Sequence, residues 1–272
     1  MTRLARVVSV VAGLALCQGI PWAWSAAGPE LDCLIEPYII VQVGSPVEGI
    51  LEKVDVDRGD LVTVGQVLAE LESSVERAAV GVARVRVEME AAIRSNQVRI
   101  DFGERRLVRT EDVFKQGGIP EKEVDEAATS KILAEMGLLE AKENRRLAEQ
   151  ELKRAIDALA LRTVRSPITG VVMQRFLSPG ELVKDAPILK LAQIHPLHVE
   201  VIAPVAMLGK IQVGMQADVI PEAPVGGVQV ARVKVVDPVV DAASGTFGVR
   251  LELPNPGYRL PAGLKCKVRF PR

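Results

Sequence analysis

Aromatic residues are scarce: five Phe, two Trp and two Tyr make up 3% of 272 positions. An interior this poor in rings is built from Val, Leu, Ile and Ala, and it offers little for base stacking or an aromatic ligand cage. Charge of one sign is lacking too, since 34 basic residues stand against 35 acidic for a net charge of −1. No global field draws the chain to a polyanion, which disfavours nucleic acid as a partner. Histidine is confined to His195 and His198, and cysteine to Cys17, Cys33 and Cys266. There is no Gly-rich phosphate loop, no Gly-x-Ser-x-Gly and no Cys-x-x-Cys pair, so the common nucleotide, hydrolase and thiol-redox signatures are absent. After the first thirty residues no run is apolar enough to cross a bilayer.

What is present is an ordinary folded composition, 48% apolar and 25% charged, long enough for one to three domains. Residues 1–27 read as an export signal: Arg3 and Arg6 precede an apolar stretch from Val7 to Leu16, and small residues follow at Ser25, Ala26 and Ala27. An uncleaved anchor is the other reading of this segment, and Leu14-Ala15-Leu16-Cys17 gives a weaker one, a lipidated Cys17. Cleavage leaves two cysteines, Cys33 and Cys266, in an oxidising compartment.

An internal repeat follows. Ser45-Pro46-Val47-Glu48-Gly49 leads through Gly59 to Gly65-Gln66-Val67-Leu68, and about 121 residues on, Ser166-Pro167-Ile168-Thr169-Gly170 leads through Gly180 to Ile188-Leu189-Lys190-Leu191. Short Val/Ile/Leu runs alternate with glycine at turn positions (Gly49, Gly59, Gly65, Gly170 and Gly180), so each half reads as strands joined by tight turns. Residues 39–72 and 163–193 are therefore expected to close one β-sandwich.

Between the halves, residues 73–162 carry helical periodicity. An outgoing arm from Ser73 to about Gln116 places Val75, Ala79, Val82, Met89, Ile93, Ile100, Leu107 and Phe114 on one seam. The returning arm repeats Ala127, Ala134, Ala141, Ala148 and Ala155 at heptad spacing, flanked by Val124, Leu138, Leu152 and Leu159. Alanine at a repeated seam position lets two helix backbones approach closely, which predicts an antiparallel coiled-coil hairpin bent at Gly117-Gly118-Ile119-Pro120. At 1.5 Å per residue each arm is roughly 60 Å long, too long to fold back, so it projects.

Residues 194–272 return to β patterning. Strands are expected at Leu197–Ala203, Gln216–Ile220, Gln229–Val236, Thr246–Leu253 and Leu264–Phe270, with a short helix over Val205–Ile211. This suggests a small antiparallel β-barrel, which the strand within 28–38, Leu31–Ile35, could complete. The fold class is α+β and multidomain.

Chemistry is thin. His195 and His198, without a nearby Cys or carboxylate, make a weak metal site and read as linker residues. The methionines, among them Met89, Met136, Met173, Met207 and Met215, form no soft-metal cluster. Carboxylate pairs such as Glu88 with Glu90 or Glu121 with Glu123 fall on exposed helix with nothing to desolvate them. Neither a catalytic site, a metal nor a cofactor is expected.

The two Ser-Pro-x-x-Gly halves, split by the hairpin and followed by Gly214, Asp237-Pro238, Asn255-Pro256 and Leu260-Pro261-Ala262-Gly263, resemble the periplasmic adaptor, or membrane fusion protein, family of efflux and type I secretion systems. The resemblance implies a split lipoyl-like domain, an α-hairpin and a β-barrel. It also implies a ring, with six copies expected, that bridges an inner-membrane transporter (of the resistance-nodulation-division type first, the ABC type second) to an outer-membrane channel. It implies a channel contact at the hairpin tip, carried onto Arg109, Val113, Gly117, Gly118, Pro120 and Asp125; Pro120 stands where the family often has Ser. The chain ends at its last barrel strand, where full-length efflux adaptors add a membrane-proximal domain, so service as one of an adaptor pair, or with a different transporter, is expected. The family's architecture returns both flanks of the lipoyl-like domain to the barrel, which implies a Cys33–Cys266 disulfide against the rival of two free buried thiols. A biotinyl or lipoyl carrier is the competing class, but it needs a modifiable Lys where the long insert sits.

Overall fold

A computed structural model describes residues 30–271. The export signal expected over residues 1–27, and Cys17 with it, lie outside the described residues.

The chain begins with β1 (Glu30–Val43), followed by β2 (Gly49–Val54), β3 (Leu61–Val62) and β4 (Val67–Leu71). The helices α1 (Ser74–Glu88), α2 (Ala91–Lys115) and α3 (Glu121–Ala160) come next. After them run β5 (Thr163–Arg165), β6 (Gly170–Arg175), β7 (Leu182–Val183) and β8 (Leu189–Pro204). The last part holds β9 (Gln216–Pro221), β10 (Gln229–Asp241), β11 (Thr246–Leu253) and β12 (Lys265–Arg269).

The sequence repeat becomes an interlocked sandwich in which each half bonds to the other by the same rule. Gly59 N–H donates to the Val172 carbonyl at 2.9 Å, and its counterpart Gly180 N–H donates to Leu51 at 2.7 Å. Val172 N–H donates to Asp60, while Leu51 N–H donates to Glu181, both at 2.9 Å. Gly49 pairs with Val183 across β2 and β7, and Gly170 with Val62 across β6 and β3. The two halves share one core and enclose Leu51, Leu68, Leu71, Val172, Val183, Ile188 and Leu191 together. Each fully buried Leu or Ile contributes about 1.5–3 kcal/mol, so the second half is what makes the first stable.

Helix α3 runs unbroken, with Ala127 and Ala141 buried and Ala134, Ala148, Ala155, Val124, Leu138, Leu152 and Leu159 half-buried against its partners. The outgoing arm differs from expectation, because it breaks between α1 and α2, where Met89 takes extended backbone (φ −69, ψ 96). Beyond the break the expected seam holds at Ile93, Ile100 and Leu107, all half-buried, with Gly103 packed 3.2 Å (from an added Cβ) against the Lys131 Cα, and fails at Phe114, which is 42% exposed. Before it the phase slips by about one residue: Val80 and Ala83 are buried, whereas Val75 is 71%, Val82 60% and Met89 66% exposed. A heptad seam extended backwards through an interrupted helix ladder loses its register. Salt bridges flank the break, Glu90 with Arg94 and Arg145, and Arg86 with Glu151.

The strand order β1-β12-β9-β10-β11-β8 closes on itself through the β1–β8 pairing. Inside lie Ile35, Leu197, Val199, Val201, Val219, Val233, Phe247, Val249, Leu251 and Val268, every one 2% exposed or less. The segment Leu31–Ile35 is thus part of a longer strand, Glu30–Val43, that serves both sheets. The helix expected over Val205–Ile211 is a single 3₁₀ turn, Val205–Met207. Leu208 ends it by taking extended backbone (φ −60, ψ 132), and Gly209 follows with φ 81.

Candidate functional site

The hairpin tip is built by backbone chemistry. Helix α2 ends in a Schellman arrangement: Gly118 N–H donates to Val113 at 3.0 Å and Gly117 N–H to Phe114 at 2.8 Å. Gly117 has φ 74, where a Cβ is penalised, and a Cβ on Gly118 would lie 2.9 Å from Val113 Cγ1. The turn needs both glycines. Pro120 (φ −71, ψ 152) is the cap that precedes α3, and Glu121 and Glu123 fill the first turn, where a helix N-terminus favours negative charge. Pro120 thus stays in the bend expected at Gly117-Gly118-Ile119-Pro120, its extended ψ keeping it outside the helix.

Arg109 and Val113 sit on the last turns of α2, Gly117 and Gly118 in the turn, and Asp125 in the second turn of α3, so the six expected contact residues share one end of the hairpin. Arg109 is exposed, donates from Nε to the Arg105 carbonyl at 3.2 Å, and makes no ion pair among the described residues. Val113 and Phe114 are each 42% exposed. The tip therefore offers a free guanidinium beside apolar surface, and nothing in its own fold consumes either.

The five repeat glycines divide into two kinds. Gly59, Gly65 and Gly180 have φ of 95, 81 and 92 and serve as turn residues. Gly49 and Gly170 differ from expectation: they open strands, and their need is close approach. A Cβ on Gly170 would overlap the Ala192 carbonyl oxygen and lie 2.8 Å from its carbon, and one on Gly49 would meet Arg162 Nη1 at 2.5 Å.

Cys33 and Cys266 face each other across β1 and β12 and are joined, with S–S 2.03 Å and Cα atoms 4.9 Å apart. Ion pairs Lys267–Asp32 and Arg269–Glu30 flank the bond along the same two strands.

The two histidines lie on a continuous strand, β8, rather than in a linker. His198 packs against Tyr38, ring centroids 4.4 Å apart and planes tilted by 45°, and burial, then the Arg250 charge, holds its pKa below the usual histidine value. His195 Nδ1 accepts the Asn255 N–H at 3.0 Å. Asn255, which the sequence reading names only within the Asn255-Pro256 motif, is buried to 2% exposed, and burial is not visible in sequence. Among the described residues no three His, Cys, Asp or Glu side chains gather as metal ligands, and no helix is long and apolar enough to cross a membrane.

Residues 39–193 match the CzcB-like, barrel-sandwich hybrid domain and residues 196–272 the CusB-like, beta-barrel domain. The chain is 26% identical over 188 residues to the pyoverdine export membrane fusion protein PvdR of Pseudomonas aeruginosa, an alignment that takes in 67% of this chain and 48% of that protein. It thus spans about half the length of that curated relative. In fold it resembles MacA from Actinobacillus actinomycetemcomitans (TM-score 0.74, 20% identity, 90% of this chain and 78% of the other). It also resembles the membrane fusion protein Spr0693 from Streptococcus pneumoniae R6 (TM-score 0.61, 17% identity, 89% and 98%). The split sandwich, its inserted hairpin and the adjoining barrel, matched over nearly all the described residues, place this chain in the periplasmic adaptor, or membrane fusion protein, family.

Proposed function

We propose that this chain is a non-catalytic adaptor of the periplasm that oligomerises and bridges an inner-membrane transporter to an outer-membrane channel for efflux or export. The observation that carries the reading is the projecting hairpin: a continuous 40-residue α3 with its α1–α2 partner, ending in a tip whose Arg109 and Val113 are unused by the fold. A transporter of the resistance-nodulation-division type is the first partner to test and an ABC-type the second. Six copies, alone or alternating with a second adaptor, would form the conduit. The outward stripe Val75, Val82 and Val85 on α1, with Met89 just past its end, supports side-by-side packing, because the three valines recur at helical spacing and all four residues are 57–71% exposed. Export by the N-terminal segment, with attachment through a retained anchor or a lipid on Cys17, completes the proposal. A biotinyl or lipoyl carrier is not favoured, since the hairpin occupies the place of the modified turn. Crosslinking in cells that contain the channel tests assembly: ladders up to six copies are expected, and a strictly monomeric species with all partners present would overturn it.

A further inference from the structure

The middle of the hairpin carries opposite charge on its two sides. Its level is set by two close approaches of α2 to α3: Asn96 Nδ2 donates to the Gly137 carbonyl at 3.0 Å, and Gly103 faces the Lys131 backbone. On one side of this level lies a groove of about 630 Å³, lined on α3 by the small residues Ser130, Ala134 and Gly137 and walled by Val98, Phe102 and Leu133. The three walls are 65%, 54% and 66% exposed, so the groove is open and apolar. Arg99 and Arg105 border it, and Arg106 follows Phe102 by one helical turn. These three arginines are exposed, and none joins an ion pair among the described residues. The ion pairs along the hairpin use Arg86, Arg94, Lys115, Lys122, Lys131 and Arg145 instead.

The other side has the reverse sign. Gln97, Asp101, Glu104, Val108 and Glu111 recur on α2 at four- and three-residue steps and so share a stripe, along which Gln97 Nε2 donates to Asp101 Oδ1 at 3.2 Å. Lys131 lies 3.8 Å from both Glu104 and Glu135, which sets Glu135 of α3 beside that stripe. Ile132 and Leu139 stand one turn before and after Glu135, and with Val108 they are 55%, 49% and 52% exposed. Lys131 offsets only part of the charge of Asp101, Glu104, Glu111 and Glu135. Arg99 and Asp101, like Phe102 and Glu104, are two residues apart, a step that turns side chains to different sides of a helix.

Both sides therefore offer apolar surface at one height with charges that complement each other. A second copy set alongside with its hairpin parallel meets arginine with carboxylate. Turned back to back, it meets arginine with arginine, a juxtaposition that costs binding energy.

We propose that the Arg99, Arg105 and Arg106 side of one hairpin docks on the Asp101, Glu104 and Glu135 side of the next copy, with Ile132 and Leu139 of that copy covering the groove beside Phe102. The contact is heterologous, so each copy gives one side and receives with the other, and the contact repeats from copy to copy until the rotation closes a ring. The docking rests on the reading of the chain as an oligomerising adaptor.

The test uses the full chain in cells that contain the channel, with the photoreactive substitution Phe102→benzoylphenylalanine. Light should join position 102 to a second copy, at peptides that hold Ile132 to Leu139. Independently, Arg99→Glu with Arg105→Glu and Arg106→Glu makes both sides acidic, and Asp101→Lys with Glu104→Lys and Glu135→Lys makes both basic. Either set alone should cut the chemically crosslinked ladder about tenfold or more, because like charges then meet at every contact. Expressed together, the two sets should restore the ladder, since acidic and basic copies can alternate. Thermal midpoints near that of the wild type separate lost docking from lost folding, and the crosslink from position 102 decides the matter where a charge set does not fold. A crosslink that maps elsewhere on the chain or to another protein, or a full ladder from either set alone, would overturn the docking and leave adaptor assembly standing. A wild type that stays monomeric with every partner present would overturn assembly, and the docking with it.

Discussion

The Arg162 guanidinium lies 2.6 Å from the Glu76 carboxylate and 2.9 Å from the Glu48 carbonyl. One side chain thereby ties the first turn of α1, the chain entering β2 and the exit from α3. The pair is the least exposed ion pair among the described residues, its side chains 23% and 18% exposed, so solvent screens it less than the ion pairs along the hairpin. Removing Arg162 strips charge-assisted bonds and leaves Glu76 half-desolvated. Arg162→Ala should cost about 1–2 kcal/mol after allowance for its partial exposure, read as a lowered urea midpoint at unchanged m-value. Lys115→Ala, which breaks an exposed pair with Asp112, should cost well under about 0.5 kcal/mol. Equal effects would show that the hairpin foot is no stronger than its surface.

The two kinds of repeat glycine should separate by substitution. Gly59→Ala adds a Cβ that meets nothing within 4 Å, so its cost is the left-handed backbone alone, about 1–2 kcal/mol. Gly170→Ala forces a Cβ into the Ala192 carbonyl on the central strand β8, where backbone must move. It should cost on the order of 3 kcal/mol or more. Thermal unfolding of the two variants ranks them, and the reverse order would undo the distinction between turn and close-approach glycines.

Stability should also fall with acid through His198. Its folded pKa is lowered, chiefly by burial and then by Arg250. In the window between the folded value and the unfolded value near 6.5 the unfolded chain binds the extra proton, so stability rises with pH there and declines as pH falls through it. His198→Gln should flatten the slope of unfolding free energy between about pH 7 and pH 5. An unchanged slope would assign the dependence to other groups.

How much of this was legible in the sequence follows from the range of the forces involved. The sandwich halves could be read because Gly59 and Gly180, or Gly49 and Gly170, answer short-range backbone demands that recur at a fixed offset. The seam of α3 was readable because Ala127 to Ala155 keep strict heptad spacing on an uninterrupted helix. The seam of α1 was not, since Val75, Val82 and Met89 fit the same heptad on paper and only the break at Met89 turns them outward. Tertiary contacts, invisible to local pattern, made Gly170 a packing residue and carried β8 straight through His195 and His198. Asn255 escaped for the same cause: its four hydrogen bonds reach Ile194, His195 and Leu260, and a turn motif names none of them.

The proposed channel contact predicts a division between function and folding. Arg109 is exposed and bonds only to the Arg105 carbonyl of its own helix, so Arg109→Asp should leave the unfolding midpoint within about 0.5 kcal/mol of wild type. Efflux or export by cells carrying it should be lost while protein level is kept. Full transport by the variant would return Arg109 to the class of solvated surface charges.

The Cys33–Cys266 bond joins β1 to β12 over a sequence separation of 233 residues, the two strands between which the barrel's chain ends meet. Hydrogen bonds and the ion pairs Asp32–Lys267 and Glu30–Arg269 already hold these strands together, so the bond's main effect is on the unfolded chain, whose loop closure it fixes in advance. In the entropic account that effect is about 5 kcal/mol at this loop length, with smaller gains commonly measured. Cys33→Ser with Cys266→Ser should therefore fold to the same barrel but unfold at a markedly lower denaturant concentration. The bond itself is read by intact mass: protein unfolded without reductant should resist alkylation at both positions and gain two adducts after reduction. Two thiols that alkylate before reduction would show that hydrogen bonding and packing alone close the barrel at this seam.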